Sequence, residues 1–282
     1  MKPIYTSSLS VIAVTTLAAC IDDRCLDLSP CAQAFDYNRN VDAANASVPY
    51  MKTCGLNVAT SKFLHDAYSQ VMSVEQSFVD VIYDELEIAD QLLTEHNIPY
   101  YIIAGTLLGA IRNGGLIPND DDMDIAVEIK YERDLLALSS GFEANGFELK
   151  TVEFLGYKIK KRGSKSNGLD IFITEVRSVN GKDVLAYARD IAYNNWPNEW
   201  VEVSATANLT RIPFGHLKVS SIGVTDAISF LDRAYGNDWY TVTYKDFDHV
   251  NNRRIASKKE RLLSSEYYHL VHSGIQPYIC SN

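Results

Sequence analysis

Between residues 76 and 97 apolar side chains recur at helical spacing, with Phe78, Val81, Ile82, Ala89, Leu92 and Leu93 on one stripe. Ser73 and Gln76 have the spacing of a capping box, and Asn97 and Pro99 form the stop signal. Tyr100 to Ala104 then reads as a short apolar strand, and Gly105-Thr106 opens a small helix that runs through Arg112. A turn at Asn113-Gly114-Gly115 leads to a strand from Met123 to Ile129, in which acidic and apolar positions alternate. The pattern next predicts a helix over Tyr131–Ser140, two strands within Phe147–Arg162 and a strand over Leu169–Thr174. Beyond Asn180 it weakens, except for a helix at Thr225–Tyr235 and an amphipathic helix around Ser257–His272. This mixture predicts an α/β or α+β domain with one central mixed sheet and flanking helices.

Composition narrows the class. A chain of 282 residues with 46% hydrophobic positions can bury a sizeable core, which excludes wholesale disorder, a collagen-like repeat and a multi-span membrane protein. The net charge of −10 argues against nucleic acid as a partner, because a phosphate backbone needs a basic surface. It leaves room for a small phosphorylated substrate in a locally basic pocket.

Four of the five cysteines, Cys20, Cys25, Cys31 and Cys54, precede the predicted core, and Cys280 lies near the end. Such placement suits disulfides in an oxidising compartment better than a catalytic or zinc site. Lys2 precedes an uncharged stretch to Ile21, the layout of an export signal or signal anchor. Leu17-Ala18-Ala19-Cys20 also resembles a lipobox, and the sequons at Asn45 and Asn208 suit a secretory lumen. The expected organisation is an export signal or membrane anchor at 1–21, a cysteine-tied leader at 22–72, a core at 73–250 and a helical extension at 251–282.

The chemistry concentrates between Gly105 and Ile125. On a strand, alternate side chains share a face, so Asp122 and Asp124 present two carboxylates together with Met123 buried behind them. Adjacent carboxylates repel, and a hard cation such as Mg²⁺ or Mn²⁺ relieves the repulsion. Upstream, Gly105 permits close approach of a phosphate, while the Thr106 hydroxyl and the following amides open a helix, where anions are favoured. A solvated acidic turn is the plainer alternative for Asp120 to Asp122. The chain has no Gly-Lys-Ser/Thr loop, Gly-x-Ser-x-Gly elbow or His-Glu-x-x-His, which removes P-loop NTPases, common α/β-hydrolases and zincins.

The run Gly-Thr-Leu-Leu-Gly-Ala-Ile-Arg112, followed by Ile-Pro-Asn-Asp-Asp-Asp-Met-Asp124, resembles the LicD family, which includes the fukutin-related transferases. Gly168-Leu-Asp170-Ile-Phe-Ile is similar to the family's later Asp-Ile-Phe strand, and Ile212–Val219 and Phe230–Trp239 are similar to its closing blocks. Asn113 and Asn119 depart from the His and Trp common there, and Ser220-Ser221 from a loop that usually carries proline.

The resemblance implies a nucleotidyltransferase-like fold at 73–250. It also implies metal-dependent transfer of a phospho-alcohol, such as phosphocholine or a polyol phosphate, from a nucleoside-diphosphate (CDP-type) donor to a glycan hydroxyl. Asp122 and Asp124 would then hold Mg²⁺ or Mn²⁺ with Asp120 beside them, and Asp170 would serve as a second-metal ligand or as the base. Arg112 would pair with a donor phosphate. Lys158, Lys160, Lys161, Arg162 and Lys165 form a basic run able to steer the donor. His216 and the tryptophans are expected to pack. The rival readings are a nucleotidyltransferase that adds a nucleoside monophosphate and a non-catalytic secreted Ca²⁺- or glycan-binding module.

Overall fold

The computed structural model describes residues 18–21, 24–27, 75–118, 120–248 and 253–262. Most of the expected leader and export segment, and the expected C-terminal helix beyond residue 262, lie outside these. Two short strands, β1 (Ala18–Ile21) and β2 (Arg24–Asp27), pair antiparallel and set Cys20 opposite Cys25 in register. No helix among the described residues is long and apolar enough to cross a membrane.

The core opens with helix α1 (Gln76–Glu95), whose stripe of Val79, Ile82, Tyr83, Leu86, Ala89 and Leu93 is buried. Its start differs from the capping-box expectation. Glu75 is the N-cap and makes no side-chain cap, the Gln76 amide donates to Asp80 Oδ1 one turn on (2.9 Å), and Ser73 of the expected box lies outside the described residues. The end matches the stop signal: Asn97 turns left-handed at φ 56°, and the Ile98 N–H closes the last turn on the Leu93 carbonyl (2.9 Å).

Strand β3 (Tyr100–Ile102) leads straight into α2 (Ala104–Arg112), and β4 (Met123–Glu128) returns antiparallel to β3. The expected helix after β4 is broken into a 3₁₀ turn at Ile129–Tyr131, α3 (Glu132–Ala137) and α4 (Ser139–Ala144). Strands β5 (Phe147–Val152), β6 (Gly156–Lys161) and β7 (Leu169–Val179) follow. The region where the pattern weakened holds β8 (Lys182–Tyr187), α5 (Asp190–Asn195), β9 (Trp200–Glu202), β10 (Thr210–Phe214) and β11 (Leu217–Ser221). Helix α6 (Val224–Tyr235) forms as expected.

One seven-stranded mixed sheet runs β3-β4-β7-β6-β5, with β8 and β9 continuing from the far half of β7. Only β4 and β7 pair in parallel, so the N-terminal ends of both strands reach the same edge of the sheet. Helix α1 packs over β6 and β7, and α2 packs between β4 and α6. The helix expected from Ser257 is corrected over its first residues. There β13 (Arg253–Arg261) pairs antiparallel with β12 (Val242–Asp248), whose backbone gives the extended chain its hydrogen-bond partner.

A short hairpin locks the site region from behind. Gly215, at φ 57° between β10 and β11, donates its N–H to the Gly114 carbonyl (2.7 Å), and a Cβ there would collide with the Tyr83 hydroxyl at 2.4 Å. The same Tyr83 hydroxyl accepts the Leu116 N–H (3.2 Å). Gly109 approaches so closely that a Cβ would stand 2.5 Å from the Gly115 carbonyl. The glycine turn after α2 is thus wedged between α2, α1 and the hairpin.

Candidate active site

The acids meet where β4, β7 and the start of α2 converge. Met123 is fully buried, as alternation demands, while Asp122 and Asp124 are partly buried on the other side. Ligand oxygens of Asp120, Asp121 and Asp122 all lie within 4.8 Å of one another. Asp124 joins them from the strand: a Cβ on Gly105 would be 2.9 Å from Asp120 Oδ2 and 3.7 Å from Asp124 Oδ2. The bare glycine backbone therefore forms one wall of a cradle lined by carboxylates. An oxygen-only donor set of this kind fits a hard divalent cation. Asp120, Asp122 and Asp124 would hold it, and Asp121 stands in the same cluster with its Oδ2 accepting from the Asn167 amide (2.6 Å).

Strand register brings in the fourth acid expected from sequence. Asp124 is the direct parallel partner of Asp170, and Asp170 is in turn the antiparallel partner of Lys158. Lys158 Nζ lies 2.8 Å from Asp170 Oδ1. Electrostatics follow from this crowding. Burial, then the charges of Asp122, Asp170 and Asp120, hold the Asp124 carboxyl well above its ordinary range. Burial pushes Asp170 up to about 7 even though Lys158 pulls the other way.

Two side chains singled out for substrate contact are engaged elsewhere. The Thr106 hydroxyl, almost fully buried, accepts the Asp124 backbone N–H at 2.6 Å, so it fixes the start of β4. Arg112 is buried; its Nε donates to Asn113 Oδ1 (2.9 Å) and its Nη1 to the Trp239 carbonyl (3.1 Å). Its guanidinium ties α2 to the chain after α6 through these bonds. Of the basic run, Lys161 pairs with Asp84 (2.6 Å), and Arg162 lies near Glu143 (3.6 Å) and Glu148 (3.5 Å). His216 packs on the Tyr83 ring (centroids 5.0 Å), Trp196 on Phe172, and Trp239 is buried, all as expected of packing residues.

Glu199 was not anticipated. It is buried just before β9 and accepts the Tyr187 hydroxyl; burial pushes its carboxyl up to about 7. Its charge acts on Asp124, as does that of Asp170, and the phenols of buried Tyr187 and partly buried Tyr235 feel both Glu199 and Asp124. No local motif marks Glu199. Only the bend that carries the chain from α5 into β9 brings it to the acids.

The site is an acidic cradle at one end of a parallel strand pair, walled by glycine and flanked by a helix start, a donor set suited to a hard divalent cation. Residues 97–221, from just after α1 through β11, match the family model described as LicD/FKTN/FKRP, nucleotidyltransferase domain. The chain is 33% identical over 165 residues to the uncharacterized protein RP689 of Rickettsia prowazekii (strain Madrid E), which covers 58% of this chain and 57% of that protein. It is 31% identical over 182 residues to the uncharacterized protein RT0683 of Rickettsia typhi (strain ATCC VR-144 / Wilmington), covering 64% of this chain and 54% of that one. The chain therefore spans a little over half the length of these relatives.

Proposed function

We propose that this chain transfers a phospho-alcohol, phosphocholine or a polyol phosphate, from a CDP-type donor to a glycan hydroxyl in a reaction that depends on Mg²⁺ or Mn²⁺. The observation that carries this reading is the register pairing of Asp124 with Asp170 beside the Asp120–Asp122 cluster. It concentrates carboxylates where a phosphate-bearing donor would otherwise be repelled, and a divalent ion reverses the sign of that field. The ion would neutralise phosphate oxygens at Asp120, Asp122 and Asp124. The start of α2 at Ala104 offers backbone amides to the same phosphates.

Asp170, one strand over and raised to about 7, is the candidate base for the acceptor hydroxyl proton. A glycan acceptor suits the exported placement expected from residues 1–21. The test is incubation of the full chain with CDP-choline and CDP-polyols, generic glycan acceptors and Mn²⁺, with product mass as the readout. Addition of the phospho-alcohol alone supports the proposal. Addition of a nucleoside monophosphate, or metal and glycan binding without turnover, replaces it.

A further inference from the structure

The row Asp124, Asp170, Lys158 across β4, β7 and β6 places a cation among the acids by strand pairing alone. Lys158 Nζ is 2.8 Å from Asp170 Oδ1, with its side chain only 24% exposed. The charges of Asp122 and Asp124 act on the same ammonium, which stays protonated against the pull of burial. Gly168 explains how the lysine is held there. At φ 89°, it has no side chain where a Cβ would stand 2.7 Å from the Ile159 carbonyl and 2.9 Å from Lys158 Cγ. The lysine stem thus passes directly over bare backbone to reach Asp170.

We propose that Lys158 supplies the second positive charge of this site: the domain binds a single divalent ion at Asp120, Asp122 and Asp124, and the donor's diphosphate lies between that ion and the Lys158 ammonium. This rests on the phosphotransfer reading above. An ammonium carries three donors and Asp170 needs only one of them, so donors remain for phosphate oxygens. An ammonium at Asp170 Oδ1 also repels a second dication from the carboxylate that such an ion would need. Lys158 is then a substrate-contact residue, and the pairing with Asp170 keeps it in place when no donor is bound.

The experiment is a titration of the full chain with Mn²⁺ at pH 8, free ion being counted by electron paramagnetic resonance, followed by binding of CDP in the presence of Mn²⁺. Expected are one bound ion in the wild type, two in Lys158→Ala, where Asp170 is left open, and one in Lys158→Arg, which keeps the charge. Lys158→Met, which preserves the stem over Gly168, carries the same expectation as Lys158→Ala and replaces it if the shorter side chain unfolds the protein. At Mn²⁺ concentrations that fill only the first site, CDP affinity should fall about tenfold or more in the uncharged variants, the scale of one charge-assisted hydrogen bond. Two ions in the wild type, or one in a folded Lys158→Ala or Lys158→Met, would overturn the inference and leave the metal site standing. No ion bound by the wild type would instead overturn the metal-dependent reading itself.

Discussion

Asp124 and Asp170 sit directly beside one another as register partners on the parallel strands β4 and β7. Their carboxyls are both raised by burial and by neighbouring acids, so ionising them together costs free energy in the folded state. A feature that opposes folding and yet is built into the centre of a sheet is the expected signature of a functional site.

Neutralising one of these acids should separate catalysis from stability. Asp122→Asn and Asp124→Asn are expected to reduce transfer by at least about a hundredfold, because the ion loses a ligand. In EDTA, Asp124→Asn should melt a few degrees higher than the wild type, a gain of about 1 kcal/mol from relieved repulsion. Calorimetry and the CDP-alcohol assay check both halves, and normal turnover by either variant would sink the assignment.

Thr106 offers a finer test. Thr106→Val keeps the shape but leaves the Asp124 N–H without its 2.6 Å acceptor, at a cost of about 1–3 kcal/mol. Thr106→Ser should restore both the melting temperature and Mn²⁺ affinity. A valine variant that binds Mn²⁺ as tightly as the wild type would show that the amide does not position the carboxylate.

For Arg112 the expectation is structural. Arg112→Ala removes the bonds to Asn113 and the Trp239 carbonyl, so the melting temperature should fall. The KM for the donor in the folded protein should stay unchanged. A large rise in KM without a loss of stability would restore the phosphate-clamp role.

The metal-free protein should lose stability as pH rises from 5 to 8. Asp170 and Glu199, both raised to about 7, bind protons in the folded state that the unfolded chain has already released above its ordinary carboxylate pKa. Their contribution is present at low pH and is lost as pH passes through 7. Thermal melts in EDTA across this range test the slope, which Glu199→Gln should flatten.

Local signals and long-range pairing divide what the sequence makes legible. Helices α1 and α2 and strand β4 can be read because periodicity, glycines and stop residues agree within a few positions, and the same holds for Asp120, Asp122 and Asp124. Asp170 is legible only through its resemblance to a family strand. That Lys158 pairs with Asp170, or that Glu199 reaches Asp124, depends on register and on the α5–β9 bend, which no local window contains. The bonds of Arg112 are hidden from the sequence for the same reason. A helix-terminal arginine reads alike whether it faces solvent or, as here, carbonyls more than a hundred residues away. The strands after Asn180 are short and partly exposed, so their alternation is weak, and the segment from Ser257 takes its extended form from its partner β12.

The wedge formed by Tyr83, Gly114 and Gly215, together with the Arg112–Trp239 tie, bears on where this domain can be cut. The family match ends at residue 221 and begins at residue 97, after the whole of α1. A fragment trimmed to those limits would lack the phenol that supports the glycine turn and the carbonyl that receives the arginine. A fragment that keeps both supports must include Tyr83 and run past Trp239.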